Sequence, residues 1–195
     1  RKDWIAGPTL NIFNPDTMQL MMEAGATRWV VAPEMSGEAM AALLSEMQTR
    51  PETEVLAWGR LPLAHSARCF TARHFNLQKD TCEFRCLGMS DGIVLRTREG
   101  EPFLTLNGVQ TQSARVHNLL ADLPEVACHA DVLRISPQGS HTLDVIALFR
   151  EALDGQTSAL AAFERSAEWM VDRACNGFWH GKPGLELQLP AGAKS

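Results

Sequence analysis

Apolar positions in the first sixty residues follow two alternating periods. Thr9 to Phe13 is a short β-like run ending at Asn14-Pro15. Asp16 then caps a helix whose Met18, Met21, Met22 and Ala24 recur at helical spacing, and Gly25 stops it. Trp29-Val30-Val31-Ala32 reads as a second strand, closed by Pro33-Glu34. Ser36 caps a second helix running to about Gln48, with Met40, Leu43, Leu44 and Met47 at core spacing and Glu38 near its positive end. Glu54 to Leu61 is a third strand. Strand, helix and short connection repeat in the rhythm of a parallel sheet with crossover helices, and the Met-rich helix faces predict core filling.

The middle of the chain breaks this rhythm. Pro62 to Gly88 carries Cys, Arg and His residues without a clear period. Gly92 to Arg98 and Pro102 to Leu106, joined at Glu99-Gly100-Glu101, read as a β-hairpin. Val126 to Ile135 predicts a further strand, and helices follow over Leu143 to Leu153 and Ser158 to Ala174. From Pro183 onward, Gly and Pro punctuate what reads as a flexible tail, 183–195. There is no internal repeat. The expected class is α/β: a partial TIM-like (β/α) barrel with a small β-hairpin insertion, spanning 1–182 and carrying the cysteine segment 62–88. A whole barrel takes about 250 residues and eight strands. The chain opens on Arg1 rather than Met and is expected to be the C-terminal two-thirds of a longer protein.

Composition narrows the function classes. Across 195 residues, 18 Lys and Arg stand against 23 Asp and Glu, a net charge of -5. That balance argues against tight non-specific nucleic-acid binding, whose strength comes from neutralised phosphates. No apolar run reaches the length of a membrane span and no secretory h-region opens the chain, so a cytoplasmic protein is expected. Five cysteines are an odd number, in a chain large enough to build a core without disulfides. In a reducing compartment, clustered thiols point to metal or catalysis.

Cys69, Cys82 and Cys86 sit in HSARCFTARHFNLQKDTCEFRC. Thiolates are soft, charged donors that bind zinc or iron–sulfur clusters once they converge. Cys82 and Cys86, four positions apart, share one side of a turn, and Cys69 can return to them across the loop. Arg68, Arg73, His74, Lys79 and Arg85 surround them with positive charge, which stabilises thiolates. Three readings stay open from the residues alone: ordinary half-buried cysteines, an iron–sulfur ligand set, or a structural zinc with His65 or His74 as fourth ligand. Cys128, within the predicted strand, and Cys175, at a helix end, read as small apolar fillers.

The block GRLPLAHSARCFTARHFNLQKDTCEFRC (Gly59 to Cys86) resembles the cysteine region of the collagenase-like peptidase superfamily. GPTLNIFNP (Gly7 to Pro15), APEMSG (Ala32 to Gly37), LNGVQTQSA (Leu106 to Ala114), DVLRISPQ (Asp131 to Gln138) and CNGFWHGKPG (Cys175 to Gly184) extend the resemblance over nearly the whole chain. It is closest to the branch serving oxygen-independent ubiquinone biosynthesis. The resemblance implies a TIM-barrel-like protein holding a [4Fe–4S] cluster through four cysteines. Three of these map onto Cys69, Cys82 and Cys86, with the fourth outside this chain. It also implies a heterodimer with a related cluster-bearing subunit, a sterol-carrier-like lipid-binding accessory protein, and hydroxylation of ubiquinone precursors without O2. A non-catalytic, cluster-stabilised scaffold subunit and an RNA-base hydroxylase relative remain alternatives. A functional protease is not expected, because the sequence holds no HExxH helix, and its GxSxG match, Gly88 to Gly92, leads into a predicted strand rather than the helix of a nucleophile elbow.

Catalytic candidates come from the barrel expectation, in which strand C-termini form the active face. Arg60 ends the third strand and His65 follows, and both suit an anionic or quinone-ring site. Their plainer reading is a solvated arginine and a capping histidine. Arg134, within VLRIS, either points into the barrel or pairs with a carboxylate such as Glu34, since buried arginines are paired. Asn107 and Gln110 follow the second hairpin strand. Asn176 to Gly181 places Phe178 and Trp179 either over the site or folded onto the core behind a Gly177 helix cap.

Overall fold

A computed structural model describes residues 2–190, the side chain of Lys79 excepted. Strands β1 (Trp4–Ala6), β2 (Ala26–Val30) and β3 (Glu52–His65) pair in parallel and in chain order. Helices α1 (Pro15–Glu23) and α2 (Gly37–Ser45) join them, as the alternating periods predict. Asn14, not Asp16, caps α1: its Oδ1 accepts from the Thr17 N–H at 2.8 Å, and Asp16 lies in the first turn. Ser36 caps α2 as expected, its Oγ accepting from the Ala39 N–H at 3.1 Å. The β-like run at Thr9 to Phe13 is not a strand. Pro8 cannot donate to a ladder, and a 3-10 turn over Pro8–Leu10 ends at left-handed Asn11, so the strand forms earlier, at Trp4–Ala6.

β3 is 14 residues long and organises the rest. Its first half carries β2 and, in parallel pairing, β7 (Val132–Ile135); its second half pairs antiparallel with β6 (Gln110–Asn118). The predicted hairpin is present as β4 (Ile93–Arg96) and β5 (Pro102–Asn107), and β5 joins β6. The short strand β8 (Ala174–Cys175) adds to β6 in parallel. The sheet is mixed, in the order β1-β2-β3-β6-β5-β4 with β7 on β3 and β8 on β6, and it does not close among the described residues. The protein is thus α/β with an open eight-stranded sheet.

Two expectations change in the middle of the chain. The predicted strand Val126 to Ile135 is a helix, α4 (Leu123–His129), followed by β7. Pro124 suits a first helical turn, and Asp131 ends the connection by accepting from the Thr53 N–H at 2.8 Å. The second C-terminal helix is shorter than predicted. After α5 (Thr142–Leu153), α6 (Ala159–Ser166) starts at its Ser158 cap and passes into a 3-10 turn at Ala167–Trp169. There the buried Ser166 hydroxyl donates to the Phe163 carbonyl at 2.6 Å, competing with the helical ladder.

The core has two parts. One gathers Ile12, Met18, Trp29, Met40 and Leu119, the other Trp58, Val116, Leu120, Val145, Leu148 and Phe149. Met18 and Met40 are fully buried, which bears out core filling, at about 1.5–3 kcal/mol for each such side chain. The segment from Pro183, expected to be flexible, is tied back over its first residues. Asn176 donates to the Gln188 carbonyl at 2.8 Å and accepts from the Gln188 N–H at 2.7 Å, with Leu187 and Leu189 on the second core. The remainder of that tail, 191–195, lies outside the described residues. No described helix is long and apolar enough to cross a membrane.

Candidate functional site

β3, β6 and β7 meet beyond Gly59, and the three candidate side chains Arg60, His65 and Arg134 lie on these strands. Gly59 sits at φ 120°, and a Cβ there would fall 2.5 Å from the Ser136 Cβ. The close approach brings β3 against the turn after β7. The next residue, Arg60, is anchored through Nη1, which donates to the carbonyls of Ser113 at 3.1 Å and Ala114 at 2.7 Å and to the Thr105 hydroxyl. Its Nε is buried without a partner. Burial pushes the guanidinium below its ordinary pKa, opposed by the charges of Asp172 and Asp91.

Arg134 pairs with Glu54, not Glu34, its Nε lying 3.6 Å from Glu54 Oε1. The parallel register places Arg134 beside Leu56, two residues from Glu54 and on the same face of β3, whereas Glu34 belongs to the turn after β2. Glu54 is shared, because its other oxygen accepts from Arg28 Nη1 at 3.1 Å. Arg60 and Arg134 line one cleft of about 230 Å3, together with Gln110, Gln112 and the Ser136-Pro137 turn. His65 reaches it only indirectly, its Nε2 lying 3.2 Å from the Gln110 amide. Asn107 lies in a smaller adjoining recess with Arg60, Ser90 and Asp91.

The sequence reading missed several of these groups. Gln112 lines the cleft from β6, whose polar run offers no strand period. Asp91 accepts from the Gly139 N–H at 2.7 Å and so ties the hairpin's approach to the turn after β7. A further buried group joins Asp122, Asn176 and His180: Asp122 Oδ2 accepts from Asn176 at 2.8 Å, and Oδ1 lies 3.0 Å from His180 Nε2. Burial raises the Asp122 carboxyl above its ordinary range. This group pins the segment carrying Trp179, which lies flat against Gly37 and is buried, so that aromatic folds onto the core.

The thiols occupy a separate region. Cys69 caps α3 (Phe70–His74), its Sγ accepting from the Ala72 N–H at 3.5 Å. Cys82 follows a 3-10 turn at Lys79–Thr81, and Cys86 lies in another at Arg85–Gly88 that packs against α3. Left-handed Glu83 and Phe84 turn the chain between them. All three thiols are free and half-buried. Arg68 and Arg73 line the groove that holds Cys69, while Arg85 pairs with Glu83 at 2.7 Å and lies over the Phe75 ring. His65 contacts Gln110 and His74 packs edge-on against Phe75, the two histidines named as alternative zinc ligands. Among the described residues, no three His, Cys, Asp or Glu side chains converge as a metal-binding group. The donor chemistry suits a soft metal or cluster, three unpaired thiols on adjoining turns, and falls one short of four.

The two remaining cysteines differ. Cys175 is fully buried on β8, and burial pushes its thiol up to about 12, so it packs as a neutral filler. Cys128 lies on the exposed side of α4 rather than in a strand, its thiol donating to the Pro124 carbonyl at 3.2 Å.

A family model for Peptidase family U32 matches residues 6–188. No solved structure matches the chain.

Proposed function

Since the chain belongs to peptidase family U32, we propose that it is the iron–sulfur subunit of an O2-independent hydroxylation system acting on ubiquinone precursors. In this reading it is a UbiV-like, cytoplasmic protein that works with a UbiU-like partner and a sterol-carrier-like accessory protein presenting the lipid-bearing precursor. The observation that carries the reading is the state of Cys69, Cys82 and Cys86: three free, half-buried thiols on neighbouring turns within the family match. Proteolysis is disfavoured by the absence of an HExxH motif, and the GxSxG match at Gly88 to Gly92 is a turn leading into β4 rather than a strand-to-helix elbow.

In this reading Cys69, Cys82 and Cys86 hold the cluster, with a fourth ligand from a preceding segment. A bound [4Fe–4S] cluster supplies one-electron transfer or Lewis acidity, tuned by nearby charge and hydrogen bonds. The chain's own residues orient the donors. The Ala72 N–H fixes the direction of the Cys69 sulfur, and the left-handed pair Glu83-Phe84 turns Cys86 back toward α3. In this reading the parallel strands β1, β2, β3 and β7, which follow one another in chain order, would belong to the arc of a (β/α) barrel. Arg60 does not end β3, which runs on to His65, but it lies just past the part of β3 that pairs in parallel, beside the end of β7, and that would be the face such barrels use for chemistry.

The test is anaerobic reconstitution with iron and sulfide, on this chain and on an N-terminally extended form, with Cys82→Ala as control. Uptake of about four irons and absorbance near about 400 nm in the extended form, lost in the control, supports the reading. Retention of zinc with no iron uptake in either form overturns it.

A further inference from the structure

We propose that a small cavity between the end of β2, β3, β6 and Trp179 is a specific site for one structural water, which donates to His117 Nδ1 and accepts from the Trp179 indole N–H. His117 and Trp179 are only 4% and 5% exposed. His117 Nδ1 and Trp179 Nε1 are buried without a hydrogen-bond partner among the described residues. Folded proteins rarely orphan such atoms, and an ordered water is a common reason that they can be buried at all. Both side chains line the same cavity, together with Val31, Ala32, Met35 and Leu56. Its room for the centre of a water-sized sphere is about 10 Å3, the lower limit of what one water needs. The other orphaned indole nitrogen, Trp58 Nε1, does not line it.

The hydrogen-bonding roles select water. An indole N–H can only donate. Burial holds the His117 imidazole neutral, so one ring nitrogen carries the proton and the other accepts. The ring also bonds the Leu56 backbone in a way that favours its protonated form, which makes the Leu56 carbonyl an acceptor from the ring. Nδ1 has no partner, so the proton sits on Nε2 and Nδ1 is left as an acceptor. One donor and one acceptor therefore face an otherwise apolar space, and a single water completes both with an O–H and a lone pair. The site also has a mechanical role. Trp179 lies flat against Gly37, whose N–H donates to the Trp179 carbonyl at 2.9 Å. That contact fixes the segment after β8 to α2, and the water fixes the same indole to β6 from the inside. The site is separate from the cysteine segment and does not rest on the cluster reading.

The experiment is a pair of NOESY and ROESY spectra of the 15N-labelled chain near neutral pH, reading magnetisation transfer between water and the Trp179 indole N–H. That signal is identified by its loss in Trp179→Phe. A long-lived bound water is expected to give a cross-peak of opposite sign in the two spectra, whereas proton exchange with bulk water gives the same sign in both. A long-range 1H–15N correlation reads the His117 tautomer, expected to carry its proton on Nε2. His117→Leu removes the acceptor and is expected to abolish the water cross-peak while the indole signal persists. Four results would each overturn the site: no cross-peak in the parent chain, equal signs in the two spectra, a proton on Nδ1, or an unchanged cross-peak in a folded His117→Leu. Should that variant not fold, the parent chain's cross-peak signs and tautomer decide alone. The readout needs no iron, so its failure and that of the cluster assignment are separable.

Discussion

Glu54 and Arg134 are joined across the β3–β7 pair at 3.6 Å, and the same carboxylate accepts from Arg28 on the opposite neighbour, β2. One mostly buried acid therefore bridges three adjacent parallel strands. Removing it leaves Arg134 without its carboxylate partner and Arg28 with Glu52 alone. Both arginines are partly solvated, so we expect Glu54→Ala to cost about 1–3 kcal/mol of folding stability and Glu54→Gln somewhat less, since the amide still accepts from one arginine. Urea unfolding of the two variants against the parent chain checks both the sign and the order.

His117 is buried in β6, and burial lowers its pKa to about 4. An unfolded histidine titrates near 6.5, so between these values the unfolded state binds the extra proton. The neutral imidazole's contribution is intact above about pH 6.5 and is lost as pH falls toward 4, by about 3 kcal/mol in all. His117→Gln is expected to flatten this part of the stability–pH curve. Comparing variant with parent isolates the effect from Asp122, whose raised pKa acts with the opposite sign. An unchanged slope in the variant would exclude His117 as its source.

Cysteine reactivity should sort by burial. Cys128 is exposed, while Cys175 is fully buried with its thiol raised to about 12. Iodoacetamide near neutral pH is expected to modify Cys128 in the native protein and Cys175 only after denaturation, as read by peptide mass mapping. Cys175→Ser replaces a filler with a hydroxyl that must find a partner, at a cost of about 1–3 kcal/mol.

Gly59 combines a left-handed φ of 120° with a Cβ position only 2.5 Å from Ser136. Gly59→Ala therefore meets backbone strain and a steric overlap together, and we expect a loss of about 2–4 kcal/mol. Because the same residue precedes Arg60, the substitution should also displace the Arg60 Nε–H resonance. A variant as stable as the parent would mean that β3 and the turn after β7 separate easily.

Much of the fold was legible where local chemistry and pattern agreed. Ser36 as a helix cap, the Met18 and Met40 core positions, the hairpin around Gly100 and the parallel run of β2 and β3 follow from short-range rules, whereas the first strand forms at Trp4–Ala6 and not at Thr9 to Phe13. β6 was not legible, because its buried positions include Ser113, His117 and Asn118, polar side chains that only the surrounding sheet satisfies. The stretch Val126 to Ile135 misled because its apolar residues serve a helix and then a strand, divided at Ala130-Asp131. The sequence leaves Arg134 either pointing into a barrel or paired with a carboxylate such as Glu34, and choosing Glu54 requires the β3–β7 register, which no local sequence contains. The cleft was foreseen by its arginines and not by Gln112, which reaches it through antiparallel pairing, nor was the adjoining recess foreseen by Asp91, which enters it through a loop contact.

β3 has a consequence for how the molecule tolerates change. Its first half belongs to the parallel strands and its second half to the antiparallel ones, without a break between them. A one-residue insertion anywhere in its centre would act as a frameshift in space, inverting the faces of everything downstream in the strand. Glu54 could then keep Arg134 only if Arg60 gave up Ala114, or the reverse. The cysteine-bearing stretch that follows is free of this constraint, since it hangs from the end of the strand. Length variation is expected in the loop between His74 and Cys82, past the Ser66 and Phe70 N–H bonds to Val109 and Gly108, while β3 itself keeps a fixed count of residues.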